Sequence, residues 1–269
     1  MSSLSSISLA CLGVLAVLTQ FGQAQQTAQW PNYPTPGIPR TPGGKPDLSA
    51  RAPQKPDGRP DLSGVWQLDR DPKYLNDIAA DFKPGEFPMQ PWAEALTKER
   101  KTGAHADEYP SVHCLPQGIP ILDSSPAVGY PLKIIQETNL VVILYEANSQ
   151  FRQIFLDGRP LPKDPNPTWL GYSVGRWERD TLVVEATGFN GKTWLDAVAG
   201  HPSTDALHIT ERFRRRDFGH LDLQLTIDDP KAYLKPWTVT QTMQLFADTD
   251  LLEFVCNENE KDLKHLTAK

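Results

Sequence analysis

The stretch HLDLQLTID, residues 220–228, restricts the fold more than any other. Leu221, Leu223, Leu225 and Ile227 alternate with polar residues, so one face of the segment is apolar and the other wet. That is the pattern of a strand in a one-sided antiparallel sheet. Similar runs surround it. LKIIQET turns at Asn139 into LVVILYE, and FRQIFLDGR turns at Asp157-Gly158. WLGYSVGRWE turns at Arg179-Asp180 into TLVVEATGF, and LHITERFRRRD turns at Phe218-Gly219 into HLDLQLTID. PWTVTQTMQLFA and LLEFVCNEN close the series, joined through Asp248-Thr249-Asp250. No helical pattern separates these runs, which argues against a doubly wound sheet. Eight or nine strands with sequential turns predict an all-β, antiparallel up-and-down barrel, because closure removes the exposed edges. An open sheet or a sandwich is the alternative.

Before the hairpins the pattern differs. DLSGVWQLDR, from Asp61, reads as a first strand, with Trp66 plugging one end of the core. KYLNDIAADF reads as a short helix. QPWAEALTKERKTG reads as a longer one, with Pro91 in the first turn, Glu94 early, basic residues late and Gly103 as the stop. It is expected outside the barrel or over its mouth. YPSVHCLPQGIPILDSSPAVGYP is a loop rich in Pro and Gly. Residues 25–60 are too rich in proline for a core and read as an extended tail strapped over the barrel. PDLS occurs there twice, at Pro46 and Pro60, and reads as an echo of the approach to the first strand rather than a repeat. The expected division is residues 1–24 as a signal, 25–60 as the tail and 61–269 as one barrel domain.

The Gly-x-Trp of GVW, followed by a meander, resembles the lipocalin or calycin superfamily. The chain also resembles a widespread, uncharacterised family of exported bacterial proteins through PDLSGVW, DGRPLP, GRWERDTLVVEATGF, HITERF and CNEN. The resemblance covers most of the mature chain and implies export and a calycin-like barrel. The insert after the first strand and the polar loops depart from ordinary lipocalins, which weakens any transfer of hydrophobic carrier function.

The first residues give the compartment. An apolar run from Leu9 to Leu18 precedes small residues at Gly22 and Ala24, the pattern of a secretory signal cut after Ala24. The run is too short to span a bilayer, and no other segment is long and apolar enough, so no stable membrane insertion is expected. The expected location is a periplasm or the exterior. Lys and Arg number 27 against 33 Asp and Glu, a formal charge of −6 that argues against binding a nucleic-acid backbone. Cys114 and Cys256 survive cleavage. Export makes a disulfide between them possible; two buried free thiols are the alternative.

The chemistry-bearing residues gather in HPSTDALHITERF, residues 201–213. In a strand, Ile209, Glu211 and Phe213 share one face, and His208, Thr210, Arg212 and Arg214 the other. If the apolar face points inward, Glu211 is a buried acid needing a partner, either as a proton-transfer group or as half of an ion pair. If the other face lines a cavity, His208 is a candidate base and Arg212 an anion clamp; facing water, they are a solvated surface. The preceding loop offers Asn190, Trp194, Asp196 and His201, with Asp196 placed to orient His201 or His208 and Trp194 to stack on a planar ligand. Arg152, on a face with Ile154 and Leu156, reads as a further buried cation; Arg159 and Trp169 read as ligand contacts at the mouth. Ser173 lacks a nucleophile-elbow setting. His105 and His113 lie too far apart for a metal pair, and there is no HExxH, CxxC or phosphate loop, so neither metal nor cofactor is expected.

Together these readings favour an exported barrel holding a small organic ligand in its cavity or at its mouth. A hydrolase, lyase or isomerase using His208 and Glu211 is the alternative. A third is a protein-interaction module, with the proline-rich tail and the Trp-bearing loops as its contact surface.

Overall fold

The computed structural model describes residues 33–83 and 85–256. The proposed signal at 1–24 and the first residues of the tail lie outside them. Nine strands form one closed barrel in sequence order: β1 (Gly64–Leu68), β2 (Leu132–Gln136), β3 (Leu140–Tyr145), β4 (Gln150–Phe155), β5 (Tyr172–Glu178), β6 (Thr181–Thr187), β7 (His208–Arg215), β8 (His220–Asp228) and β9 (Trp237–Leu245). β1 closes the ring against β9, pairing Trp66 with Leu245 and Leu68 with Met243. The insert after β1 carries α1 (Pro91–Lys101) and the single turn α2 (Ile121–Ser124). This is a calycin-like barrel with a helical insert.

Three local expectations need correction. The barrel is not wholly antiparallel: β4 and β5 run parallel and pair only through Ile154–Ser173 and Phe155–Val174. The turn at Asp157-Gly158 leads into a proline-studded crossover, PLPKDPNPT, which cannot donate a continuous ladder and carries the chain back before β5 begins. KYLNDIAADF forms turns, not a helix. Leu251–Val255 is not a strand; the segment lies outside the sheet, where Glu146 Oε2 accepts the Leu252 amide at 3.0 Å and the Phe254 carbonyl accepts from Ser149 Oγ at 3.0 Å. Its end is fixed by a disulfide between Cys256 and Cys114, whose Cα atoms are 5.5 Å apart.

The PDLS echo is structural. Asp47 and Asp61 donate their amides to Pro39 and Pro53, Gly44 and Gly58 to Thr41 and Lys55, and Thr41 and Lys55 to Lys45 and Arg59. The same tight loop is thus built twice. Between the copies, Leu48 and Ala50 carbonyls accept the amides of Gly219 and Phe218. The tail is therefore strapped across the β7–β8 turn.

The barrel interior is filled. Trp66, Ile134, Ile143, Ile154, Leu182 and Phe213 are among its fully buried side chains, and Leu221, Leu223, Leu225 and Ile227 all point inward. Two arginines share this interior. Arg215 lies over the Trp66 ring near the tail end, 4.8 Å from its centroid, and donates to the carbonyls of Asp61, Ser63 and Phe218. Among the described residues no carboxylate bonds to it, and burial pushes its guanidinium down to about 10. Arg152 on β4 is the more deeply buried of the two. At the opposite end the insert and the β6–β7 and β8–β9 loops come together, because β1 ends, β7 begins and β9 begins on that side.

Candidate functional site

The β7 fork resolves toward Glu211. Ile209, Glu211 and Phe213 are buried in the interior, while His208 and Arg212 lie on the outer face. Arg212 pairs there with Glu178 at 3.0 Å, and His208 lies 4.0 Å from Glu185. Glu211 takes a two-pronged ion pair from Arg152, with Nη1 3.0 Å from Oε1 and Nη2 on Oε2. Arg152 Nε donates to Ser173 Oγ at 2.9 Å, and Nη1 also reaches Asp123 Oδ2 at 3.3 Å. Tyr145 donates to the same Asp123 oxygen at 3.1 Å. Both Glu211 oxygens are thus engaged by Arg152 inside the barrel. The cluster holds two carboxyls and one guanidinium. Burial, followed by the charge of Glu211, pushes Asp123 up to about 8, so at neutral pH it keeps its proton and the charges balance.

A different constellation forms under α1. The β6–β7 loop folds back so that Trp194 bridges Pro202 and the Leu195 amide donates to His201 O at 2.9 Å. Inside this small loop, Asp196 accepts the Gly200 amide on Oδ1 at 2.6 Å and His201 Nδ1 on Oδ2 at 2.7 Å. Both side chains are about 2% exposed. Gly200 is required: its φ is +70°, and a Cβ there would lie 2.9 Å from Arg100 Cδ. The Phe87 ring packs edge-on to the imidazole, with centroids 4.9 Å apart. Among the described residues His201 Nε2 has no hydrogen-bond partner. A cleft of about 370 Å³ adjoins the imidazole, lined by Phe82, Phe87 and Met89 and by the charged side chains of Asp77, Lys83, Glu94, Lys98 and Lys101. A carboxylate fixing one imidazole nitrogen while the other is left unbonded beside a cavity is a general acid–base arrangement.

Asp77, from the insert, completes the cluster. Its Oδ1 is 3.8 Å from His201 Nδ1, and the donor atoms of Asp77, Asp196 and His201 all fall within 4.8 Å of one another. Such a set suits a divalent cation in ligand type. These oxygens are already engaged by protein: Asp77 Oδ1 accepts the Ala79 amide at 2.8 Å, Asp196 Oδ2 accepts the Ile78 amide at 3.4 Å, and Lys101 Nζ lies 3.1 Å from Asp77 Oδ2. Sequence spacing misses this trio because Asp77 comes from a segment more than a hundred residues away.

The remaining expected contacts divide between two surfaces. Arg159 is held by Asp157, at 2.6 Å from Nη2 to Oδ2, and its guanidinium lies 3.8 Å from the Phe155 ring centroid. Together with Trp169, Tyr172 and Phe151 it lines a groove of about 560 Å³ where the β4–β5 pairing runs out. Trp169 also lines a second pocket of about 300 Å³ with Trp194 and Arg100. Asn190 is a turn residue, its Oδ1 accepting the Lys192 amide at 3.0 Å. Arg100 was not legible as a site residue; only its place in the basic last turn of α1 hinted at it.

No protein-family model matches the chain, and no curated protein is significantly similar to it. The fold and the site geometry therefore carry the functional reading. Among the described residues no helix is long and apolar enough to cross a membrane.

Proposed function

We propose that the chain is an acid–base enzyme acting on a small molecule at the loop-covered end of the barrel. His201 is the proton-transfer group and Asp196 the residue that positions it. The observation carrying this reading is the buried 2.7 Å Asp196–His201 contact, which leaves Nε2 unbonded beside a cavity. The bond from Nδ1 to a carboxylate favours the tautomer with the proton on Nδ1, so Nε2 is free to accept one. Phe82, Phe87 and Met89 would contact an apolar part of the substrate, and Lys83, Lys98 and Lys101 would meet a polar or anionic part. In this reading Glu211, paired with Arg152 through both oxygens, holds the barrel interior rather than moving protons.

The test is turnover of a metabolite extract by the purified mature protein, followed by mass spectrometry, with His201→Gln alongside. A compound consumed by the parent and untouched by the folded variant supports the reading. Equal consumption by both would remove His201 from the chemistry.

A second reading, a binding protein for an apolar ligand, is favoured by the groove along Trp169, Tyr172 and Phe151. It places the ligand outside the packed interior. Quenching of Trp169 fluorescence by apolar ligands, unaffected by His201→Gln, would favour it. Export from the cell is part of both readings. A disulfide that closes 142 residues of chain is at home in an oxidising compartment, and N-terminal sequencing of the native protein, expected to begin at Gln25, tests it.

A further inference from the structure

The pocket shared by Trp169 and Trp194 is built around a buried arginine with too little negative charge to balance it. Only 8% of the Arg100 side chain is exposed. Its guanidinium covers the Trp194 ring at 4.1 Å, and Nη1 donates to Gly200 O at 2.9 Å. Among the described residues Nη2 has only Glu108, at 3.5 Å, and that carboxylate is shared with His105 at 2.8 Å. Nε is buried and donates to nothing. The Nε–Nη2 edge, the side of the fork that binds a carboxylate in two-pronged fashion, is therefore the unfilled one. Burial holds this guanidinium below its usual range, the direction expected of a desolvated cation short of counter-charge.

A second cation flanks the same pocket. Lys192 is exposed, and its ammonium makes no ion pair among the described residues. Thr193 Oγ1, on the next residue, is buried without a hydrogen-bond partner. Trp169, Leu115, Pro110 and Pro202 give the pocket an apolar wall, and Glu108 and Ser203 complete its lining. Gly118 supports the floor: with φ at +74°, a Cβ there would lie 2.5 Å from Trp169 O and 2.6 Å from Thr193 Oγ1.

The geometry points to a binding site for a small organic carboxylate in the pocket formed by Arg100, Lys192, Trp169 and Trp194. The carboxylate meets the Nε–Nη2 edge of Arg100, in competition with Glu108, and Lys192 supplies long-range attraction. The apolar body lies against Trp169. This site stands on charge and shape, and is independent of the acid–base reading of His201, which adjoins a different cavity.

Benzoate serves as the probe and benzamide as its uncharged counterpart. Both are titrated into the full mature protein labelled with nitrogen-15. Benzoate is expected to shift the amides of Gly191, Lys192 and Thr193 and the indoles of Trp169 and Trp194, saturating at about millimolar concentration. Benzamide should bind about ten-fold more weakly or worse. Lys192→Glu, a surface change, should weaken benzoate several-fold, and added salt should do the same. Arg100→Gln should abolish the shifts; if that variant misfolds, Lys192→Glu and the salt series decide. Equal binding of benzoate and benzamide overturns the proposal. So does the absence of saturable shifts at these residues, or binding insensitive to both Lys192→Glu and salt.

Discussion

Arg152 on β4 and Glu211 on β7 meet inside the barrel although their strands are not neighbours, with the guanidinium gripping both carboxylate oxygens. Each is buried, so neither charge could stand alone. Removing one partner strands the other. Arg152→Met is expected to cost about 3–5 kcal/mol in a urea titration. Glu211→Gln should cost less, because Asp123 can then give up its proton and take over as counter-ion at 3.3 Å. The double variant Arg152→Met/Glu211→Gln should recover much of the loss, since it buries no charge. A double variant no better than Arg152→Met alone would mean that packing, not charge, sets the cost.

Asp123 gives the barrel an unusual pH dependence. Its folded-state carboxyl titrates at about 8, against an ordinary value of 3.8. Between those limits the unfolded chain releases a proton that the folded chain keeps, so unfolding is favoured as pH rises. Stability should fall across this window and level off above about 8, with a total loss of the order of a few kcal/mol. Asp123→Asn removes the titrating group, and its urea midpoint should vary less between pH 5 and pH 8. The difference between the two profiles isolates this carboxyl from surface acids, which titrate lower. Parallel profiles would show that Asp123 ionises normally.

How far these features could be read from sequence depends on the range of the interaction. Alternation in HLDLQLTID, and the shared face of Ile209, Glu211 and Phe213, are local properties of a strand. They made the barrel legible and posed the Glu211 question correctly. Which face turned inward, and which cation met the acid, depended on ring closure, which brings β4 opposite β7. The parallel step from β4 to β5 was hidden because a turn sequence at Asp157-Gly158 looks the same whether or not the next strand pairs as a hairpin. Asp196 and His201, five residues apart in one loop, were visible as candidates. Asp77 and Arg100 were not, since only the folding of the insert over the barrel end brings them there. The tail repeat was underestimated because the identities outside PDLS are scattered, at Pro39/Pro53, Pro42/Pro56 and Gly44/Gly58; the matching backbone hydrogen bonds show that they build the same loop.

The disulfide ties the last described residues to the insert rather than to the sheet. It closes a loop of 142 residues, so its loss enlarges the unfolded ensemble considerably. Cys114→Ser with Cys256→Ser should lower stability by about 2–4 kcal/mol. Because Leu251–Val255 makes no strand pairing, the barrel itself should survive at moderate temperature. Circular dichroism of the variant is expected to keep the parent's β signal while the melting temperature drops. Loss of the β signal at room temperature would mean that the link is needed for the barrel to form.

Asp196→Asn separates positioning from packing at the proposed reactive group. Asp196 is acceptor-only, taking the Gly200 amide on Oδ1 and, on Oδ2, both His201 Nδ1 and the Ile78 amide at 3.4 Å, a contact that asparagine gives up. Asparagine can keep the Gly200 contact through its single oxygen, but it then offers an N–H to His201. The imidazole must answer with a bare Nδ1, which moves its proton to Nε2. The nitrogen facing the cavity thereby changes from acceptor to donor, with almost no change in shape. Long-range proton–nitrogen correlation spectra should show the parent His201 protonated on Nδ1 and the variant protonated on Nε2. Stability should fall by only about 1–2 kcal/mol, whereas turnover of any substrate found by extract profiling should be nearly lost. Should turnover persist with the tautomer reversed, proton acceptance by Nε2 would not be part of the reaction.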